Sequence, residues 1–235
     1  MVGLVRSLGK DAAVIVGHDW GVWIAAHAAL LRPDLFRAVA LLSVPYVPRR
    51  PVNQTQWEQQ RYPGKIFYQA MFRSPAAEAY FKTDIRGVLL TALYSLSGDA
   101  AVNERWNPVA DPTAPPAAPH ASAECPAWIT GSDLDLLEAE YKRAGFTGGL
   151  NCYRNMDRSW AMTPFLDGAK ILQPALFIAG DRDPVIEFLG EELDVLEKNM
   201  PNLKKQVLLE GAGHWTQQER PQEVNRLLIE FLKGL

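Results

Sequence analysis

The chain has 235 residues, 48% of them hydrophobic and 22% charged, with a formal net charge of −3. This is the make-up of a globular protein with one large domain, or one domain carrying an insertion. Mild acidity without a Lys/Arg cluster argues against a nucleic-acid partner. Two cysteines, Cys125 and Cys152, and four scattered histidines give neither a disulfide framework nor metal-ligand spacing. The expectation is therefore no metal and a cytoplasmic protein. No apolar run approaches the ~20 residues of a membrane span, and no signal-peptide core is present.

In chain order, Val2–Leu8 reads as the end of a helix closed by Gly9. Ala12–Val16 is a short apolar strand that runs into Gly17-His18-Asp19-Trp20-Gly21 and then into an apolar helix, Val22–Leu31. That helix is apolar nearly all round and is expected to be buried on most sides. Strand, tight turn with glycines two before and two after a central residue, then helix is the pattern of a nucleophile elbow. The glycines let the backbone turn sharply and the helix pack close behind the strand. The central side chain, thrust out of the turn, is Asp19, where a serine hydrolase carries Ser. The plain alternative is a β–α turn with a helix-capping Asp. His27 reads as a core or partly buried histidine. Arg32-Pro33-Asp34 ends the helix, and Val39–Val44 is a second strand, buried on both faces and stopped by Pro45.

Between Pro45 and Leu166 there is no long β-like run. Helical patterns fall near Gln56–Gln60, Phe67–Phe72, Ala76–Tyr80, Ile85–Leu96 and Leu134–Ala144. Ser132 with Asp135 reads as a capping box for the last, and Gly145 as its stop. Asn107–Ala127 is rich in Pro and Ala and reads as a loop or linker. The region is expected to be a helical insertion over a site, dividing the chain into 1–45 (core with elbow), 46–166 (helical cap) and 167–235 (core). After Pro174 the β/α rhythm returns. Ala175–Ala179 is a buried strand, Phe188–Asn199 a helix, Lys205–Leu209 the last strand and Pro221–Leu232 a closing amphipathic helix.

Strands alternating with helices imply a parallel sheet with its site at the strand C-termini. Three chemistry-bearing residues fall at three such ends, in the order nucleophile, acid, histidine: Asp19, Asp183 and His214. Asp181 competes with Asp183, but it follows Gly180 directly and can serve as a turn former. A carboxylate nucleophile needs no base to become charged at pH 7. It can displace at a saturated carbon and leave an alkyl ester, after which His214 activates water and Asp183 holds the imidazole. The backbone N–H of Trp20, the residue after the nucleophile, is the expected oxyanion donor. An epoxide leaving oxygen needs a proton donor, and Tyr is protonated at neutral pH. The insertion offers Tyr68 and Tyr153.

With those residues in place, the chain resembles the soluble epoxide hydrolases of the α/β-hydrolase superfamily. GHDWG followed by LSVPYVPRRP is similar to the family's elbow and entry to its cap. IFYQAMF and GFTGGLNCYRNMDRSW resemble the segments carrying two cap tyrosines, which assigns those roles to Tyr68 and Tyr153. FIAGDRDPV resembles the acid loop at Asp183, and GAGHWTQQERPQEVNRLLIEFL the histidine loop and last helix. The resemblance implies an α/β-hydrolase fold, of which the last four strands of the parallel sheet are readable here, with an inserted α-helical cap. It implies conversion of a small lipophilic epoxide and water to a vicinal diol, with no cofactor, and allows a homodimer. The family also carries an upstream HGxP motif that supplies a second oxyanion donor; the chain starts just ahead of the elbow and has none. The expectation is a C-terminal part of a hydrolase with the elbow strand as an exposed apolar edge. Two other readings share these residues. A haloalkane- or haloacid-type dehalogenase also uses an Asp elbow, with tryptophan N–H groups to receive the halide. A non-catalytic fragment acting only by association would keep the motifs without turnover.

Overall fold

The computed structural model describes residues 1–113 and 125–235. Most of the Pro/Ala-rich stretch that the sequence marks as a loop, residues 114–124, lies outside the described residues. The chain divides into two compact units. The first holds Met1–Arg49, Ser97–Asp99 and Gly168–Leu235; the second holds Arg50–Leu96 and Ala100–Asp167. The strands in chain order are β1 (Ala13–His18), β2 (Phe36–Leu42), β3 (Ile66–Phe67), β4 (Val109–Ala110), β5 (Ala175–Gly180) and β6 (Leu203–Leu209).

The first unit is built on a parallel four-stranded sheet in the order β1-β2-β5-β6. Its register pairs His18 with Leu42 and Gly180 with Leu209, so the strands reach their C-terminal ends along one edge. The two central strands carry the most continuous apolar runs, because in a parallel sheet helices cover both faces. Residues Ala38–Leu42 and Ala175–Ala179 are buried throughout. Ala38, Ala40, Leu42, Leu176 and Ile178 pack with Val224, Leu227 and Phe231 of the closing helix, Pro221–Lys233. That helix presents an apolar side at positions spaced by three and four, and it begins on Pro221 at its first turn, where the missing N–H costs nothing.

The helix after the elbow spans Trp20–Leu31 and buries Val22, Ala25, Ala26 and Ala29. It is not buried on most sides as its composition suggests. Ile24 is 53% exposed and Leu31 48%, because only the small-residue side is covered. Among the described residues β1 is a sheet edge, and its Val16 is 50% exposed. The expected helix Phe188–Asn199 is instead three short turns, Pro184–Phe188, Gly190–Asp194 and Leu196–Asn199. The first starts early because Asp183 caps it, accepting from the Val185 N–H, with Pro184 at the first helical position. The run leaves helical dihedrals at Leu189 and Val195, and Leu189 and Leu196 are buried.

The second unit is mainly helical. It contains the helices Gln54–Arg61, Tyr68–Arg73, Ala77–Thr83, Ile85–Ser95, Gly131–Ala144, Thr147–Arg154 and Met156–Met162, and the antiparallel β3–β4 ladder. Ala77, Phe146 and Leu150 form its small apolar core with Phe72, Phe81 and Ile85 packed against it. The Arg73 guanidinium makes a two-pronged bond to the buried Glu58 at 2.5 and 2.9 Å, and Thr55 binds Asp157 through both its N–H and its hydroxyl. The helix over Gly131–Ala144 is capped by Thr130 with Asp133, not by Ser132 with Asp135. Thr130 has the extended backbone a cap needs, and Ser132 already lies inside the helix. Gly145, at φ +71°, ends it as expected. Among the described residues no helix is long and apolar enough to cross a membrane.

The elbow depends on Gly17 more than on Gly21. A Cβ at Gly17 would overlap the Gly21 carbonyl, whereas a Cβ at Gly21 meets nothing within 4 Å. The atom struck at Gly17 is backbone and cannot swing away. Gly17→Ala is expected to lower stability by about 1–3 kcal/mol or more; the urea midpoint of the variant against the parent chain measures it.

Candidate active site

Asp19 follows β1 directly and stands just before the helix Trp20–Leu31 with φ 51° and ψ −120°, its side chain making no capping bond. For a residue with a side chain this region costs of order 1–3 kcal/mol. The turn is held by the Val22 N–H donating to the Asp19 carbonyl at 2.9 Å, with Asp19's own N–H directed at Leu42 at 3.4 Å. The consequence is a carboxylate raised out of the turn, with its side chain 41% exposed.

The loops after β5 and β6 bring the other two residues to the same sheet edge. His214 is buried, and so is Asp183. His214 Nε2 lies 3.3 Å from Asp19 Oδ2, and His214 Nδ1 lies 3.0 Å from Asp183 Oδ2. The other Asp183 oxygen accepts from the Val185 N–H at 2.8 Å. One carboxylate therefore caps a helix and orients the imidazole together. Asp181 points elsewhere, accepting from the Gly211 N–H at 2.8 Å, which braces the turn after β6. Gly180 lets this happen at close range, since a Cβ there would overlap the carbonyls of Ala212 and Gly213.

The electrostatics follow from this geometry. Burial works against a charged His214, but the charge and hydrogen bond of Asp183, joined by those of Asp19, outweigh it and push the imidazole up to about 10. Both ring nitrogens face carboxylates, so both carry protons in this arrangement. Burial also opposes ionisation of Asp19. The hydrogen bond and charge of His214, the Trp20 backbone N–H and the nearby His18 outweigh that effect and hold Asp19 below the usual carboxylate range. Asp19 is thus an ionised carboxylate, and the Trp20 N–H is directed at it.

Two contacts that the sequence did not single out hold His214 from behind. Its carbonyl accepts from Ser43 Oγ at 2.6 Å and from His18 Nε2 at 2.8 Å. That bond fixes the His18 tautomer with the proton on Nε2. Burial, followed by the charge of His214, keeps His18 below the ordinary histidine value. His18 sits inside the elbow motif, so its position was visible although its partner was not. Ser43 adopts φ +65°, a backbone property with no sequence signature at a serine.

Tyr68 and Tyr153 lie in the second unit. Their rings meet edge-on, with centroids 5.9 Å apart, and Phe72 packs against both at 5.4 and 4.9 Å. Trp106 meets Tyr68 at 4.8 Å, and the Tyr68 hydroxyl accepts from Gln69 at 3.0 Å. The structure therefore brings Asp19, His214, Asp183 and the Trp20 N–H together in one unit, and the two tyrosines together in the other. Among the described residues no group of His, Cys, Asp or Glu side chains is arranged to hold a metal ion.

The family model of the alpha/beta hydrolase fold matches residues 3–221. Epoxide hydrolase A of Mycobacterium tuberculosis is 41% identical over 238 residues, which cover 100% of this chain and 73% of that protein. An epoxide hydrolase from an endophytic Streptomyces superposes with a TM-score of 0.93 at 43% identity, covering 98% of this chain and 71% of that one. Epoxide hydrolase A from Mycobacterium thermoresistibile does so with a TM-score of 0.87 at 41% identity, over 100% and 73%. The chain belongs to the alpha/beta hydrolase fold family and, within it, to the epoxide hydrolases.

The raised imidazole sets a pH dependence. A histidine that titrates near 6.5 when unfolded and at about 10 when folded contributes stability that is complete below pH 6.5 and is lost as the pH climbs to about 10. Asp19→Asn removes one of the two charges that raise it. In that variant the loss of Tm on raising the pH should finish at a lower pH, and the His214 imidazole resonance should titrate lower than in the parent chain.

Proposed function

We propose that this chain hydrolyses a lipophilic epoxide to a vicinal diol through a covalent ester on Asp19. The observation that carries the reading is a carboxylate in place of serine at the elbow, with an imidazole 3.3 Å from its oxygen and a second carboxylate behind that imidazole. Tyr68 and Tyr153 are assigned as proton donors to the epoxide oxygen. The apolar rings around them, Phe72 and Trp106, support a lipophilic substrate. The helical segment 46–166 is assigned the role of the cap that carries these tyrosines. Two unpaired thiols, Cys125 and Cys152, support a reducing, cytoplasmic setting.

The chemistry follows from the charges. An Asp19 oxygen attacks an epoxide carbon, the ring C–O bond breaks, and the alkoxide takes a proton from a tyrosine hydroxyl. Esterification removes the negative charge of Asp19. The His214 imidazole thereby loses one of the interactions that keep it protonated, and its proton returns through solvent to the tyrosinate. The neutral imidazole then takes a proton from water, whose oxygen attacks the ester carbonyl. The carbonyl oxygen gains negative charge beside the Trp20 N–H, which is already directed at this carboxylate. Collapse breaks the acyl–oxygen bond, the departing alkoxide takes the remaining hydroxyl proton, and Asp19 returns as a carboxylate facing a protonated His214. Asp183 keeps the imidazole aligned through both halves.

With a chromogenic aryl epoxide, Asp19→Asn should abolish diol formation. His214→Gln should still be alkylated, so that intact-mass measurement finds one substrate-sized adduct on Asp19; an adduct-free His214→Gln chain would sink the mechanism. Removing either tyrosine hydroxyl alone should slow ring opening by about 10²-fold or more, the usual worth of a positioned acid. Tyr68→Phe with Tyr153→Phe should nearly stop it, as read in the single-turnover rate of adduct formation.

A further inference from the structure

Glu219 is a buried carboxylate that the proposed mechanism does not use. It lies on the short helical turn Thr216–Glu219, and both its oxygens are occupied. Oε2 accepts from the N–H of Gly98 at 2.9 Å, the N–H of Gly213 at 2.9 Å and the Ser97 hydroxyl at 3.2 Å. Oε1 accepts from the N–H of Trp215 at 3.0 Å. Three of the four donors are backbone N–H groups, which can only donate, so both oxygens must act as acceptors. Two of those N–H groups flank His214 on either side. The same peptide whose N–H is held by Glu219, between His214 and Trp215, has its carbonyl held by Ser43 and His18.

We propose that Glu219 is a positioning residue for His214: it fixes the backbone on both sides of the base and ties the histidine loop to Ser97–Gly98. The proposal rests on the reading of His214 as the base of ester hydrolysis. The close approach of the two loops is part of the device. A Cβ at Gly98 would overlap the Gly211 carbonyl and crowd Ala212 and Gly213, so only a bare backbone can come near enough to share the Glu219 carboxylate. The Arg182 side chain, one residue before Asp183, donates to the Gly98 carbonyl at 3.2 Å. The acid loop and the histidine loop are thereby referred to the same three-residue segment. The imidazole is held at its ring by Asp183 and at its backbone by Glu219 against Ser43 and His18. A displacement of the base by about 1 Å costs on the order of 10²-fold in rate.

His214 acts as a base only in the second half-reaction, and as a counterion to Asp19 in the first it needs a charge rather than an exact position, so the loss on disturbing Glu219 should fall on ester hydrolysis. Glu219→Gln is nearly isosteric but replaces one acceptor oxygen by a donor NH₂, which then faces backbone N–H groups. In rapid-quench experiments with a chromogenic aryl epoxide, corrected for active sites by burst amplitude, Glu219→Gln should hydrolyse the ester about 10- to 100-fold more slowly while alkylating Asp19 at the parent rate. The ester should therefore accumulate at steady state. Parallel losses in both half-reactions, or hydrolysis within twofold of the parent, would overturn the proposal. His214→Gln is run alongside. If it traps no ester, the mechanism itself has failed; if it traps ester and Glu219→Gln does not, only the role of Glu219 has. Ser43→Ala loosens the opposite side of the same peptide and serves if Glu219→Gln does not fold. It should slow hydrolysis about 3- to 10-fold with alkylation unchanged, and an equal loss in both steps would overturn the proposal.

Discussion

Everything at the site depends on one buried imidazole lying between two carboxylates. An isolated charged histidine in that position would be expelled or neutralised by the cost of desolvation. Asp183, itself buried, and Asp19, partly exposed, reverse the balance, and the ring is held protonated between them. While Asp19 is charged, the imidazole is its counterion. In the proposed mechanism, once Asp19 becomes an ester the same imidazole loses the support that came from Asp19, the smaller part beside that of Asp183, and can act as a base. A serine at the elbow would start the cycle with a neutral nucleophile and could not exert this control.

Such an arrangement tolerates little error, and much of the first unit is spent on preventing it. The parallel register brings the ends of β1, β5 and β6 to one edge. Glycines stand where backbone must approach backbone, at Gly17 under the elbow, Gly180 against the histidine loop and Gly98 against the same loop from the other side. The strained dihedrals of Asp19 and Ser43 are confined to the two residues that reach toward His214 from neighbouring strand ends. Strain persists only where surrounding structure over-determines it, and here a dense set of short backbone bonds does so.

The second unit contributes chemistry of a different kind. Its tyrosines are set in a continuous aromatic cluster. Some charged pairs of this unit, Arg73 with Glu58 and Arg86 with Glu138, lie between helices and serve to fix them.

The fold class, the elbow and the three chemistry-bearing loops were legible in the sequence because each rests on local pattern. Apolar runs marked the strands, glycine spacing marked the turn, and the order Asp19, Asp183, His214 placed one residue after each of three strands. The choice of Asp183 over Asp181 followed from the turn-forming position after Gly180, and in the structure Asp181 braces a turn while Asp183 meets the imidazole. Composition misled where it had to stand for geometry. An all-apolar helix looked buried all round although neighbours cover only one side, and a capping box was read two residues late because two overlapping Ser/Thr–Asp pairs fit the same spacing. The contacts of Ser43 and His18 with the His214 carbonyl, and of Glu219 with Ser97 and Gly98, were beyond sequence reading altogether. Hydrogen bonds between residues about 120 to 196 positions apart leave no periodicity or spacing. Sequence determined which groups could do the chemistry; tertiary structure alone decided how rigidly they are held, because that depends on which loops the sheet brings within about 3 Å of one another.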